Sequence, residues 1–477
     1  MQAATVGPSE SQLKERFEKI RLRSLALRKE PLSDRKKRLR KLESWIHAQR
    51  DRIRQAVHQD YRKPLMEVDT TEIYPVLTEI RHTLKHLDRW ASPRKIDATL
   101  SYVGTRSEIR YEPKGTCLII APWNFPFNLC VGPLVSCLAA GNNAIIKPSE
   151  MTPCTSSLIR EMVAEVFEDD IAFVVEGGAD VSQQLLKLPF DHIFFTGSTH
   201  VGKLVMEAAA RNLSSVTLEL GGKTPTVIDA SANVNDAAIR IAFGKYMNNG
   251  QTCIAPDYLL IENKVKDKFI ESFKKEVCRF FGDGKEITEK SSSYSRMATT
   301  RQYSRVAGLI DDAIGLGATA IRLGAFNAAE NFLGPTILMN VPAHAKIWGE
   351  EIFGPVLLVG TFDHQDEVVQ FINSRPKPLA LYIFSNRSAF REHILQNTSS
   401  GSVCLNDCVL QFTHPNLPFG GVNQSGIGKS HGQFGFLAFS NEKSVLRQKR
   451  GWAAPYLLHP PYTNSMKKTV DLLLKWF

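Results

Sequence analysis

The chain has 477 residues, of which 43% are hydrophobic and 23% charged, with a formal net charge of +10. That length exceeds one ordinary hydrophobic core and predicts two domains with an accessory element in a soluble globular protein. The basic excess could signal nucleic acid or an acidic membrane surface. Much of it, however, sits in Arg35–Lys41, read as the polar start of an amphipathic helix, and no zinc-finger spacing, aromatic ribonucleoprotein motif or basic heptad array is present, so no nucleic-acid partner is expected.

The 8 cysteines include no C-x-x-C pair, which excludes a disulfide scaffold. Cys117, Cys130, Cys137 and Cys278 lie in apolar runs and read as core thiols. A reducing, cytoplasmic compartment and no metal are the expectations. The first residues are polar or small, without a hydrophobic signal segment. No apolar run approaches the roughly 20 residues of a membrane span.

In chain order, residues 36–60 show helical spacing, with Leu39, Leu42, Ile46, Ile53 and Val57 on one face. Tyr74–Leu87 predicts a second helix. Thr99–Tyr111 is rich in β-branched and aromatic residues and reads as a strand or hairpin. From residue 116 to 219 the pattern alternates. Strands are predicted at 117–120, 144–146, 172–175, 192–195 and 216–218, with helices at 129–140, 155–167, 181–187 and 200–211 between them. Continuous apolar strands alternating with helices predict a parallel sheet covered on both faces, with ligands beyond the carboxyl ends of its strands. After Gly221-Gly222 the rhythm restarts, with a helix at 265–280 and strands at 357–359 and 381–384, which reads as a second α/β domain. Phe436–Phe439 and Ser444–Leu446 read as a β-like return, followed by a tail ending in Leu472-Leu473-Leu474-Lys475-Trp476-Phe477. The tail is too short to span a bilayer; a peripheral membrane contact stays open, with packing on a neighbouring subunit preferred.

Three stretches carry the chemistry. Asn248-Asn249-Gly250-Gln251-Thr252-Cys253 sets a thiol after a polar turn, which favours access over the ordinary reading of a buried, inert cysteine. Glu219 ends an apolar strand before Gly221-Gly222, where a carboxylate needs a partner or a purpose. Asn124 sits in the rigid Pro122-Trp123-Asn124-Phe125-Pro126 turn. A thiol nucleophile, a carboxylate base and an amide donor suit acyl chemistry at a carbonyl carbon.

Gly197-Ser198-Thr199-His200-Val201-Gly202-Lys203 looks at first like a phosphate loop, but Leu204 stands where the magnesium-binding hydroxyl belongs. Gly428-Lys429-Ser430 fails too, with Asn423 at the first glycine. The G-x-G-x-x-G dinucleotide fingerprint is absent. What remains is a strand, Thr196-Gly197-Ser198 and a helix start that can face a pyrophosphate.

Taken in order, these motifs resemble the aldehyde dehydrogenase superfamily from about residue 10 to residue 450. Gln251–Tyr258 and the short N-terminus are similar to the class 3 enzymes of fatty and aromatic aldehydes. The resemblance implies an α/β fold of two doubly wound parallel-sheet domains, a modified Rossmann cofactor domain (10–98 and 112–220) and a catalytic domain (221–410). It further implies oligomerisation strands at 99–111 and 436–450, a tail at 451–477, and a homodimer. It assigns Cys253 as nucleophile, Glu219 as general base and Asn124 as oxyanion donor, with the Cys253 backbone N–H as second donor. It places Trp123, Lys147, Glu150, Gly197, Ser198, Gly202, Glu351 and Phe353 at the cofactor. Lys147 and Glu150 would take the adenosine ribose, with Glu150 favouring NAD while NADP remains usable. It sets Asn406, His414 and Pro418–Gly421 near the mouth of the substrate tunnel. The sequence departs from the family at Asn423, usually glycine, and at Phe125, often tyrosine in class 3. The implied function is NAD(P)-dependent oxidation of medium-chain aliphatic or aromatic aldehydes to acids. Two alternatives remain: an acylating, coenzyme A-dependent enzyme, which a water-activating Glu219 disfavours, and a non-enzymatic binding protein, which would not need all three groups.

Overall fold

The computed structural model describes residues 9–98, 102, 104–282, 284–451 and 459–476. Its first large sheet orders the strands Ser215–Leu220, His192–Gly197, Thr116–Ile120, Asn143–Lys147 and Ala172–Val174 side by side, all parallel. The short strand Gly426–Ile427 closes the outer edge, antiparallel to Ser215–Leu220. Successive strand residues point to opposite faces, and both faces are covered. Cys117 and Ile119 join the core under the Asn128–Ala140 and Pro153–Val166 helices. Leu118 and Ile120 join the one formed with the Glu10–Leu27, Ala179–Leu185 and Thr199–Ala210 helices. Burial on both sides is why these strands read as unbroken apolar runs.

The second large sheet orders Thr319–Arg322, Thr336–Met339, Val356–Phe362, Tyr258–Glu262, Pro225–Ile228, Ala380–Phe384 and Ser402–Leu405. All its pairings are parallel except that of Thr319–Arg322. The Val234–Tyr246 and Lys266–Phe281 helices cover one face, and Thr300–Gly315, Gln365–Asn373 and Ser388–Asn397 the other. Both sheets are doubly wound, as expected.

A third sheet stands apart from both. Thr105–Pro113 lies between Arg94–Ile96 and Ser440–Gln448, antiparallel to each, with Pro113 opposite Ser440 and Thr105 opposite Gln448. Of the expected 99–111 strand, residues 99–101 and 103 lie outside the described residues, as do 452–458 and 477 of the tail.

Four expectations need correction. Phe436–Phe439 is not strand: Gly432–Ala438 is a helix capped by Phe439, and Phe436 and Phe439, three apart, enter one core. The 36–60 stripe is two helices, Leu32–Ala48 and Arg50–Tyr61, because Gln49 leaves helical geometry while both pack on the same core. Arg35 is no solvated charge; it is buried and donates to the carbonyls of Ala139 and Ala140, satisfying the negative C-terminal end of the Asn128–Ala140 helix. Cys278 is only half-buried, unlike Cys117, Cys130 and Cys137.

Candidate active site

The carboxyl ends of Thr116–Ile120, His192–Gly197 and Ser215–Leu220 open into a cleft of 470 Å³. Trp123, Asn124, Gly197, Ser198, Glu219, Cys253, Glu351 and Phe353 all line it. The chain reaches this point from three directions, which is why residues more than two hundred positions apart share one cleft.

Cys253 is delivered by a strained turn. Asn248, Asn249 and Gly250 take positive φ of 55°, 56° and 71°. Asparagine and glycine are the residues that adopt this region at least cost. A Cβ on Gly250 would lie 2.3 Å from the Gly354 carbonyl oxygen, so glycine is required there. The Gln251 side chain fastens the turn to the Asn248 and Arg296 carbonyls and to the Ala298 amide. Asn124 is buried, and its Nδ2 donates to the Gln251 carbonyl at 3.0 Å, leaving its second N–H for another acceptor.

Two carboxylates flank the thiol. Glu219 is 7% exposed; Oε1 accepts from the Ser430 hydroxyl at 2.8 Å, and Oε2 has no hydrogen-bond partner among the described residues. Burial pushes its pKa up to about 7, against the lowering effect of Ser430, His431 and Lys429. Glu351 is pushed up to about 8, by burial first and by the Asp257 charge, against the Gly222 N–H, Lys223 and Arg305. Its carboxylate lies so close to Gly221 that a Cβ there would sit 2.0 Å from Oε2. The Glu351 loop is held by Lys223, which donates to Asp257 and to the Ile347 and Glu350 carbonyls, and by Asp257, which accepts the Ile352 amide at 2.8 Å. The Cys253 thiol is pushed well above the usual cysteine range by burial and by Glu351 and Glu219, while the amides of Cys253 and Ile254 oppose this. The resting group is therefore the protonated thiol.

Cys253 and Glu219 also line a second, narrower cavity of 50 Å³, bounded among others by Leu129, Pro133, Phe412 and Phe419. A further 30 Å³ cavity shares Glu79, Asn128, Gly132, Phe412 and His431 with it and reaches Tyr74, which is exposed. The two form a narrow, mostly apolar channel ending at the thiol.

Some predicted residues lie elsewhere. Gly202 does not line the cleft; a Cβ there would meet Leu220 at 2.6 Å, so the glycine lets helix Thr199–Ala210 pack on its strand. Lys147 ends the adjoining strand Asn143–Lys147 and Glu150 follows it, on the same carboxyl edge, and the two pair with each other at 3.2 Å. Asn406 accepts the Ser385 amide at 2.9 Å; His414 itself lines neither cavity, but its neighbours Thr413 and Pro415 line the outer one and Phe419 the inner one. Sequence reasoning missed Ser430, His431, Glu79, Gln302 and Arg305. Ser430 had a signal, in the Gly428-Lys429-Ser430 segment that failed as a phosphate loop. The antiparallel pairing of Gly426 with Glu219 is what brings it to the carboxylate.

The aldehyde dehydrogenase family model matches residues 8–445. The chain belongs to the aldehyde dehydrogenase family. It is 40% identical over 437 residues to the 4,4'-diaponeurosporen-aldehyde dehydrogenase of Staphylococcus aureus, covering 91% of this chain and 94% of that protein. It is 39% identical over 440 residues to aldehyde dehydrogenase family 3 member A2 of Mus musculus, covering 92% and 89%. The substrate-bound structure of Staphylococcus aureus AldH superposes with a TM-score of 0.92 at 38% identity, over 97% of this chain and 99% of that one. The protein is thus an aldehyde dehydrogenase, and the non-enzymatic reading falls away.

Both departures from the family pattern have structural answers. Asn423 has a φ of 57°, a left-handed conformation that asparagine accepts more readily than other non-glycine residues. The Phe125 ring lies 4.0 Å beneath the Lys63 ammonium, a contact that needs no hydroxyl.

Proposed function

We propose that this enzyme oxidises medium-length aliphatic or aromatic aldehydes to carboxylic acids with NAD, NADP remaining usable, through a covalent adduct on Cys253. One observation carries the reading: Cys253 and Glu219 line both the large cleft and the narrow channel, so a ligand in each would meet the other at the thiol. The cleft fits a dinucleotide. It holds the first turn of the Thr199–Ala210 helix, whose positive end suits a pyrophosphate, and Glu351 Oε1, buried without a partner and able to accept a ribose hydroxyl. Trp123 and Phe353 meet edge to face at 5.3 Å and bound the same space. The apolar channel suits a hydrocarbon or aromatic aldehyde.

The residues then act in order. Cys253 gives up its proton to a neighbouring carboxylate, Glu219 or Glu351, and its sulfur attacks the carbonyl carbon. The carbonyl oxygen becomes an oxyanion that accepts the free Asn124 N–H and the Cys253 amide; losing one such donor costs about 10²–10³-fold in rate. A nicotinamide ring held in the cleft by Glu351, Trp123 and Phe353 would supply the acceptor for the hydride that leaves the carbon. A thioester remains on Cys253. Glu219 takes a proton from water, the hydroxide attacks the acyl carbon, the C–S bond breaks, and the acid departs. The unpartnered Glu219 Oε2 beside Cys253 supports water rather than coenzyme A as acceptor.

An aldehyde panel with NAD and NADP in parallel tests this. Cys253→Ala should lose turnover yet bind NAD within a few-fold of wild type; appreciable turnover in that variant would remove Cys253 from the mechanism.

A further inference from the structure

Behind the Asn124 turn lies an ion pair that the chemistry above does not use. Lys63 and Glu72 are both fully buried, with Nζ 2.9 Å from Oε1. Neither lines the cleft or the channel. A buried pair is a poor source of stability, since apolar side chains of similar volume often serve as well or better. The reason to have one here lies in what it touches. Glu72 Oε2 accepts the amides of Phe127 at 3.2 Å and Asn128 at 2.9 Å. The Lys63 ammonium lies over the ring of Phe125, the residue after Asn124. Tyr61, two residues before Lys63, donates its hydroxyl to the Asn124 carbonyl at 2.8 Å.

Glu72 itself stands on a π-helical turn, Asp69–Ile73, a local irregularity that recurs at functional sites. The wide turn offers Glu72 to the backbone of residues 127 and 128 while the helix continues from Tyr74. From the other side, Asn248 Nδ2 donates to the same Asn124 carbonyl at 2.7 Å, which ties this assembly to the turn that presents Cys253.

We infer that the Lys63–Glu72 pair is a positioning unit: it fixes the Asn124 turn so that the free side-chain N–H points to where the carbonyl oxygen of the aldehyde becomes charged. This rests on Asn124 as oxyanion donor. An amide that must meet a developing charge within a fraction of an ångström needs such backing, since a misplacement of about 1 Å can cost roughly 10²-fold in rate. The pair supplies it through four groups on one turn: two amides, one aromatic face and, by way of the adjoining Tyr61, one carbonyl.

The test is a kinetic cycle on the full-length enzyme. Asn124→Ala should lower kcat by about 10²–10³-fold, and Glu72→Gln by on the order of 10–10²-fold, with the Kd for NAD changing less than about threefold. If Glu72 acts through Asn124, adding Glu72→Gln to Asn124→Ala should cost less than about a further threefold, because the group it positions is already gone. Losses that multiply would overturn the inference. So would a Glu72→Gln enzyme whose kcat is intact. Should Glu72→Gln fail to fold, Phe125→Leu, which removes only the ring under the ammonium, carries the same comparison with a smaller loss. An Asn124→Ala enzyme with unchanged kcat is a separate result, one that removes the oxyanion role itself.

Discussion

The Ser430 hydroxyl donates to Oε1 of Glu219 at 2.8 Å, while Oε2 of the same carboxylate is buried without a partner. One oxygen is anchored and the other is free to take a proton, the arrangement a general base requires. Burial raises the Glu219 pKa to about 7, and the Ser430 hydrogen bond works against that rise. A base must be ionised, so thioester hydrolysis should speed up as pH rises through about 7. Ser430→Ala removes the interaction that favours the ionised form. It should move this limb to higher pH by about one pH unit and slow turnover below it. Steady-state pH profiles measure this; a limb unmoved by Ser430→Ala would detach the hydroxyl from the base.

Lys147 and Glu150 pair at 3.2 Å beyond the strand next to the cleft, and the Glu150 side chain is 46% exposed. A carboxylate there accepts ribose hydroxyls and repels a 2′-phosphate. Glu150→Ser should raise the ratio of kcat/KM for NADP to that for NAD by about tenfold, equivalent to roughly 1.4 kcal/mol. A ratio that does not move would place the adenosine ribose elsewhere.

Among the described residues the Ser440–Gln448 strand pairs on one side only, with Thr105–Pro113, and most of its residues are exposed. A nine-residue strand with an open edge invites pairing with another chain, and a two-fold partner is the common way to close it. Light scattering at micromolar concentration should give about twice the 53.3 kDa chain mass. A fully active monomer would sink the dimer, and a tetramer would require a second interface.

Much of this architecture was legible in the sequence. Apolar runs such as Cys117–Ile120 and His192–Phe195, alternating with helical stretches, read as strands buried on both faces, and they are. Asn248-Asn249-Gly250 reads as a turn, and the structure makes it a left-handed one, with φ positive at all three residues. What failed to show depended on distant contacts. Nothing local in Gly428-Lys429-Ser430 says that a two-residue strand will set the serine against Glu219. Nothing local in Phe436–Phe439 separates a strand from a helix, because four apolar or small residues fit both periods. Lys63 and Glu72 carry no local mark of burial, since pairing nine residues apart across a π-turn leaves no periodic trace.

The covalent step on Cys253 is read most directly by intact-protein and peptide mass spectrometry of the Glu219→Gln enzyme. Mixed with an aldehyde and NAD, this variant should release NADH in a single burst of about one equivalent per active site and then stall. It should carry a mass increase equal to the acyl group, mapped to the peptide containing Cys253 and absent when Cys253→Ala is added. A burst without an adduct on Cys253, or an adduct on another residue, would contradict the mechanism.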